Sequence, residues 1–185
     1  MKNKILIGCD LHNTLLLSND AWISAFMTLD STIDEKRISK EIYNKKSRKE
    51  LANLYGINYD DLLNMYHNLC LINEKLVLFI KSLQEKEFQI VLISSSNKEK
   101  VNNDLKSISK YIVFDEIYTK EKFKKNNKND WDKLLEKYNA DFLVYFGNDY
   151  DEDIIHHDKV ISILSGHFFT ELKNIGILNE RGSNV

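Results

Sequence analysis

The run Ile5-Leu6-Ile7-Gly8-Cys9 carries no polar side chain and stops abruptly at Asp10. A strand without alternating polar positions has both faces covered, as in a parallel sheet sandwiched between helices. Four later runs fit the same frame: Phe88–Ile93, a short one around Glu116-Ile117-Tyr118, Phe142–Phe146 and Val160–Leu164. Helical patterns separate them. Glu74–Glu85 sets Leu76, Phe79, Ile80 and Leu83 on one face, and Lys98–Ser107 follows a capping residue, Asn97. Asp130–Tyr138 aligns Trp131, Leu134, Leu135 and Tyr138. Strand and helix alternate from residue 74 onward, so the expected fold is α/β, a parallel sheet with helices on both faces.

Residues 16–72 break this rhythm. They show helical patterns at Ala21–Leu29, Glu35–Asn44 and Tyr59–Leu69, with a turn at Gly56 and Asn58 before the last. The expected organisation is a core of residues 1–15 and 73–185, interrupted by a small helical insert, 16–72. Trp22, Phe26 and Met27 read as the interior of that insert. A chain of 185 residues, 43% hydrophobic and 29% charged, has the material for a real core.

Several classes of partner are set aside by composition. No apolar stretch reaches the roughly 20 residues that cross a bilayer. The basic start Met1-Lys2-Asn3-Lys4 precedes an apolar run too short for a secretion signal, so the expected location is cytoplasmic, without a membrane partner. A net charge of −2 gives no general attraction for nucleic acid. Lys36, Arg37, Lys40, Lys45, Lys46, Arg48 and Lys49 are interrupted by Asp34, Glu35, Glu41 and Glu50, and read as a solvated helix face. Cys9 and Cys70 lack CxxC or CxxH partners, so neither zinc nor a disulfide framework is expected, and both read as buried thiols.

In open α/β sheets, ligands bind beyond the carboxyl ends of the strands. Those ends read Asp10-Leu11-His12-Asn13-Thr14, then Ser94-Ser95-Ser96, then Gly147-Asn148-Asp149 running to Asp153. Lys124, Lys125 and Lys128 precede the helix that leads into the fourth strand. A carboxylate can attack phosphorus and divide one hard displacement into two easier ones. A lysine and a hydroxyl can orient and neutralise phosphoryl oxygens, and clustered acids suit Mg²⁺, a hard cation. The acids Asp149, Asp151, Glu152 and Asp153 also suit a helix N-terminus, but Asp149 and Asp153 lie one helical turn apart and can both face the site. His156-His157-Asp158 reads as structural or exposed.

With these motifs in this order, the chain resembles the haloacid dehalogenase-like (HAD) superfamily, most of whose members are Mg²⁺-dependent phosphohydrolases. Ile5–Leu15 is similar to its first motif, an apolar strand followed by D-x-D-x-T-L. Ser94 matches the second motif, Lys128 or Lys125 the lysine motif, and Gly147–Ile154 the fourth. The resemblance spans residues 4 to about 165 and implies the strand order 5-4-1-2-3, with the helical insert in the place of a cap. It implies Asp10 as nucleophile and His12 as acid/base in place of the second aspartate. It assigns Thr14, Ser94 and Lys128 to the phosphate, and Asp10, the His12 backbone carbonyl, Asn148, Asp149 and Asp153 to Mg²⁺. Asn148 stands where the fourth motif usually has aspartate.

The implied activity is hydrolysis of a small phosphorylated metabolite through an aspartyl-phosphate. Two other readings stay open. One is a HAD-fold binding or regulatory protein without turnover; the other is a dehalogenase-like hydrolase that attacks carbon.

Overall fold

A computed structural model of the chain describes residues 4–166, with Phe168, Thr170 and Leu172 beyond them. The remainder of the expected 73–185 segment, and residues 1–3, lie outside the described residues. The chain divides into two compact units, Leu16–Asn73 and the segments on either side of it.

The unit that contains both flanking segments is built on five strands. They are β1 (Ile5–Cys9), β2 (Gln89–Ile93), β3 (Glu116–Tyr118), β4 (Phe142–Gly147) and β5 (Val160–Leu164). They pair in the order β3-β2-β1-β4-β5, all parallel. This is the 5-4-1-2-3 sheet read from the other edge. β1 lies in the centre, where every neighbour covers it, which is why its sequence is apolar throughout. Cys9 pairs with Leu92 on one side and Phe146 on the other, so the residues after all three strands emerge at one level. The edge strand β3 is only half buried, in keeping with Glu116 and Tyr118 flanking its one isoleucine.

One layer of the interior gathers Leu6, Val91, Leu143, Trp131, Leu134 and Tyr145. Leu143 and Val91 are fully enclosed, and truncating an aliphatic residue of this kind costs about 2–5 kcal/mol.

The insert comprises α1 (Ser18–Leu29), α2 (Glu35–Tyr43), α3 (Arg48–Leu54) and α4 (Tyr59–Leu69). Its two ends are tied by an antiparallel bridge between Leu16 and Ile72 and by the Leu17 N–H on the Leu71 carbonyl, 2.8 Å. Trp22 stacks on Tyr66 at 4.0 Å between ring centroids, and Phe26, Ile38, Leu51 and Leu62 close around them. Met27 is only half buried. Of the expected solvated face, Lys36, Arg37, Lys40, Lys45 and Lys49 are exposed, whereas Lys46 and Arg48 are half-buried. The Arg48 guanidinium donates to the Lys46 and Ile42 carbonyls and to Asn19 Oδ1. The extra helix α3 starts where the Ser47 hydroxyl accepts from the Glu50 N–H. Only Leu51 and Ala52 face inward from it, too few to mark a helix within a charged run.

The remaining helices are α5 (Glu74–Gln84), α6 (Lys98–Asp104), α7 (Lys128–Tyr138) and α8 (Tyr150–Asp153), with a 3-10 turn at Leu105–Ser107 after α6. α6 is capped by Asn97, whose side chain accepts from the Lys100 N–H. α7 starts two residues before the expected Asp130, because Asn127 caps it. Cys9 is enclosed and burial pushes its thiol well up, so it acts as a small apolar group. Cys70 corrects the sequence reading, being half-buried at the C-terminus of α4. Among the described residues, no helix is long and apolar enough to cross a membrane.

Candidate active site

Asp10 follows the central strand, and its N–H still bonds the Phe146 carbonyl at 2.8 Å, which extends the β1–β4 ladder by one residue. The turn beyond it requires a left-handed residue, supplied by Asn13 at φ 57°. The Asp10 side chain is buried, and its Oδ1 accepts from Lys125 Nζ at 2.9 Å. The same ammonium donates to Asp153 Oδ1 at 2.7 Å. Burial pushes the Asp10 carboxyl up, the Lys125 charge pulls it down, Asp153 pushes it up again, and the balance is upward. Burial lowers Lys125, but the two carboxylates outweigh it and hold the ammonium above its ordinary value. A lysine between two carboxylates stays charged.

The lysine at the site is Lys125, which corrects the preference for Lys128. Three contacts explain the placement. The Trp131 indole N–H donates to the Lys125 carbonyl at 2.7 Å, Phe123 is buried edge-on against Trp131, and the Lys125 ammonium lies 5.5 Å from the centre of the Tyr145 ring. These fix the chain before α7 so that residue 125 points inward. Lys128 is the first residue of α7 and is exposed. It lines a cleft of about 700 Å³ with Ser95, Lys120, Lys124, Lys125 and His156, into which Asp151 and Glu152 also project.

Asp153 occupies space that only a glycine at 147 leaves open: a Cβ there would lie 2.3 Å from the Asp153 Cβ. Its Oδ2 accepts from the backbone N–H groups of Asn148 and Asp149, at 2.9 and 3.0 Å. The Tyr145 hydroxyl stands 3.2 Å from its Oδ1. Asp149 is used differently from the expectation. Its Oδ1 caps α8, accepting from the Asp151 and Glu152 N–H groups at 2.9 and 3.2 Å, so the helix-terminus role claims this side chain. Asn148 Oδ1 receives the Thr14 hydroxyl at 3.3 Å. Ser94 is buried directly after β2, and its hydroxyl oxygen accepts from the Ser96 N–H at 3.2 Å.

His12 is part of a cluster. Its Nε2 lies 2.7 Å from Asp104 Oδ2 and 3.0 Å from Lys100 Nζ, and its Nδ1 is 3.4 Å from Ser96 Oγ. Lys100 also donates to Asp104 Oδ2 at 2.6 Å. Burial raises the Asp104 carboxyl, yet the His12 bond and the Lys100 charge outweigh it and bring it down to about 2. Neither Asp104 nor Lys100 stands out in the sequence, where the pair looks like an ordinary surface bridge on one helix. His157 Nε2 bonds Asp132 Oδ1 at 2.9 Å and His156 is exposed, consistent with the structural reading of this pair.

No set of three His, Cys, Asp or Glu side chains forms a metal cluster among the described residues. The donors that meet here are two carboxylates, Asp10 and Asp153, with the Asn148 amide beside Thr14. That set is all oxygen, and Mg²⁺ is commonly held by one or two carboxylates, its other positions going to water and phosphate. The residues fit such an ion. One ammonium between two carboxylates also leaves a negative charge for it to balance.

No protein-family model matches the sequence, and no curated protein matches it. Solved structures share its architecture. A hydrolase from Streptococcus pneumoniae TIGR4 is 19% identical, with a TM-score of 0.62 over 95% of this chain and 97% of that one. A HAD-superfamily hydrolase from Ehrlichia chaffeensis is 16% identical, with a TM-score of 0.54 over 95% and 97%. A predicted phosphoglycolate phosphatase from Haemophilus somnus 129PT is 12% identical, with a TM-score of 0.54 over 86% and 87%. At such identities the shared property is the fold: this chain has the fold of the haloacid dehalogenase-like hydrolases.

Proposed function

We propose that the protein is a phosphohydrolase that cleaves a small phosphorylated metabolite through an aspartyl-phosphate on Asp10. The observation that carries this reading is the buried Asp10 carboxylate at the end of the central strand, held at 2.9 Å by the Lys125 ammonium. Lys125 restrains Oδ1 and leaves Oδ2 to form the bond to phosphorus. As that bond forms, the P–O ester bond breaks and His12 gives a proton to the departing oxygen. His12 then takes a proton from water, which attacks the acyl-phosphate and restores Asp10, releasing inorganic phosphate. Lys125 and the Ser94 hydroxyl meet the phosphoryl oxygens, where charge develops, and Thr14 orients Asn148. Asp10, the His12 carbonyl, Asn148 and Asp153 would hold Mg²⁺, which would neutralise phosphoryl charge. The helical insert serves as the cap, and the lysine-lined cleft suits an anionic metabolite.

Hydrolysis of an aryl phosphate with and without Mg²⁺ tests the reading on wild type, Asp10→Asn and His12→Asp. The expected result is Mg²⁺-dependent turnover that Asp10→Asn abolishes. Activity that survives Asp10→Asn overturns the site. A silent wild type with an active His12→Asp points instead to a binding protein.

A further inference from the structure

His12 is held by groups that the aspartyl-phosphate chemistry does not itself require. Its Nε2 sits 2.7 Å from Asp104 Oδ2, and a carboxylate can only accept, so Nε2 carries the proton of that bond. Lys100 Nζ, 3.0 Å from the same nitrogen, can only donate. The two donors therefore converge on Oδ2, at 2.7 and 2.6 Å, and do not bond each other. Nδ1 is left as the acceptor, facing the Ser96 hydroxyl at 3.4 Å.

The placement of Asp104 is otherwise unfavourable. It is the last residue of α6, where the helix dipole opposes a negative charge, and it is 5% exposed. Lysine four residues before the acid is also the weaker order for a helix-stabilising pair. The carboxylate is held here by its two donors, His12 and Lys100, of which only His12 belongs to the loop after β1.

We propose that Asp104 is a positioning residue that locks His12 with its proton on Nε2, making Nδ1 the ring atom through which His12 moves protons. This rests on the phosphohydrolase reading, in which His12 serves the leaving oxygen and then water. Lys100 supports Asp104 by sharing Oδ2. It also specifies what the ring does when the carboxylate is lost: the ammonium becomes the neighbour of Nε2 and can only donate, which forces the proton to Nδ1.

Ring ¹⁵N resonances of the full chain at alkaline pH, with His12 assigned by its loss in His12→Gln, read the tautomer directly. Expected are Nε2–H in the wild type, Nε2–H retained in Lys100→Met, and Nδ1–H in Asp104→Leu. Aryl phosphate kinetics on the same proteins should show kcat falling about 100-fold in Asp104→Leu with KM nearly unchanged, as when a histidine loses its orienting carboxylate. Nδ1–H in the wild type, an unchanged tautomer in a folded Asp104→Leu, or an unchanged kcat overturns the proposal. Should Asp104→Leu fail to fold, the wild type and Lys100→Met decide it. A wild type without turnover removes the phosphohydrolase reading, while the tautomer still reports on Asp104.

Discussion

The Lys125 ammonium lies 2.9 Å from the Asp10 carboxylate, although 115 residues separate the two in sequence. The loop before α7 is shaped to deliver that charge, and Asp153 shares it. Removing one member of a buried ionic cluster strands the others. Lys125→Met is therefore expected to cost about 3 kcal/mol at neutral pH and to abolish turnover. The stability loss should shrink on acidification, as the stranded Asp10 takes up a proton. Lys128→Met, on the exposed start of α7, should leave stability within about 0.5 kcal/mol of wild type. Urea midpoints and aryl phosphate rates of the two variants make the comparison.

Asp10→Asn should lose activity and gain stability. Burial raises the folded-state value of this carboxyl, so the native protein binds more protons than the unfolded chain, and its stability falls as pH rises through that window. With asparagine at 10, Lys125 and Asp153 remain as a balanced pair. A higher Tm than wild type is expected at pH 7, the difference disappearing below the ordinary carboxylate value near 4. Thermal unfolding from pH 4 to 8 tests it; a variant less stable than wild type at pH 7 contradicts the charge assignment.

The opposite sign holds for Asp104. Its folded-state value is lowered to about 2, so its contribution is complete above the unfolded value near 4 and is lost as pH falls through 2. The urea stability of wild type should exceed that of Asp104→Asn by about 2 kcal/mol at pH 6. The gap should narrow as the acid approaches pH 2. A gap independent of pH would show that the carboxylate is not held by charge.

Gly147→Ala places a Cβ where the Asp153 side chain now sits. Relieving that overlap means moving Asp153 away from Lys125 and from the two N–H groups it accepts. A cost of about 1–3 kcal/mol is expected, with a larger proportional loss of kcat than of stability. Denaturation curves and single-substrate kinetics on the same preparation give both numbers.

How much of this was legible in the sequence varies with how local each cause is. β1 was readable because a strand covered on both faces is apolar at every position, and Asp10 because it terminates that run. The sequence leaves Lys125 and Lys128 both open, with Lys128 preferred, because the direction of the lysine depends on Trp131 reaching back to the residue 125 carbonyl, a contact without a spacing rule. Asp149 and Asp153 looked alike, and only the backbone distinguishes the residue that caps α8 from the one that folds under Gly147. The partners of His12 were hidden for the same reason, since α6 and the loop after β1 are brought together by the pairing of β1 with β2 and not by any local spacing.

The bracket at the end of β4 is made by main-chain N–H groups closing on Asp153, and the side chain at 148 takes no part in it. Position 148 thus lends its backbone to the bracket and its side chain to Thr14 on the neighbouring loop. Exchanging the amide for an acid at 148 would therefore retune the charge of the pocket while the main-chain bracket on Asp153 keeps its donors.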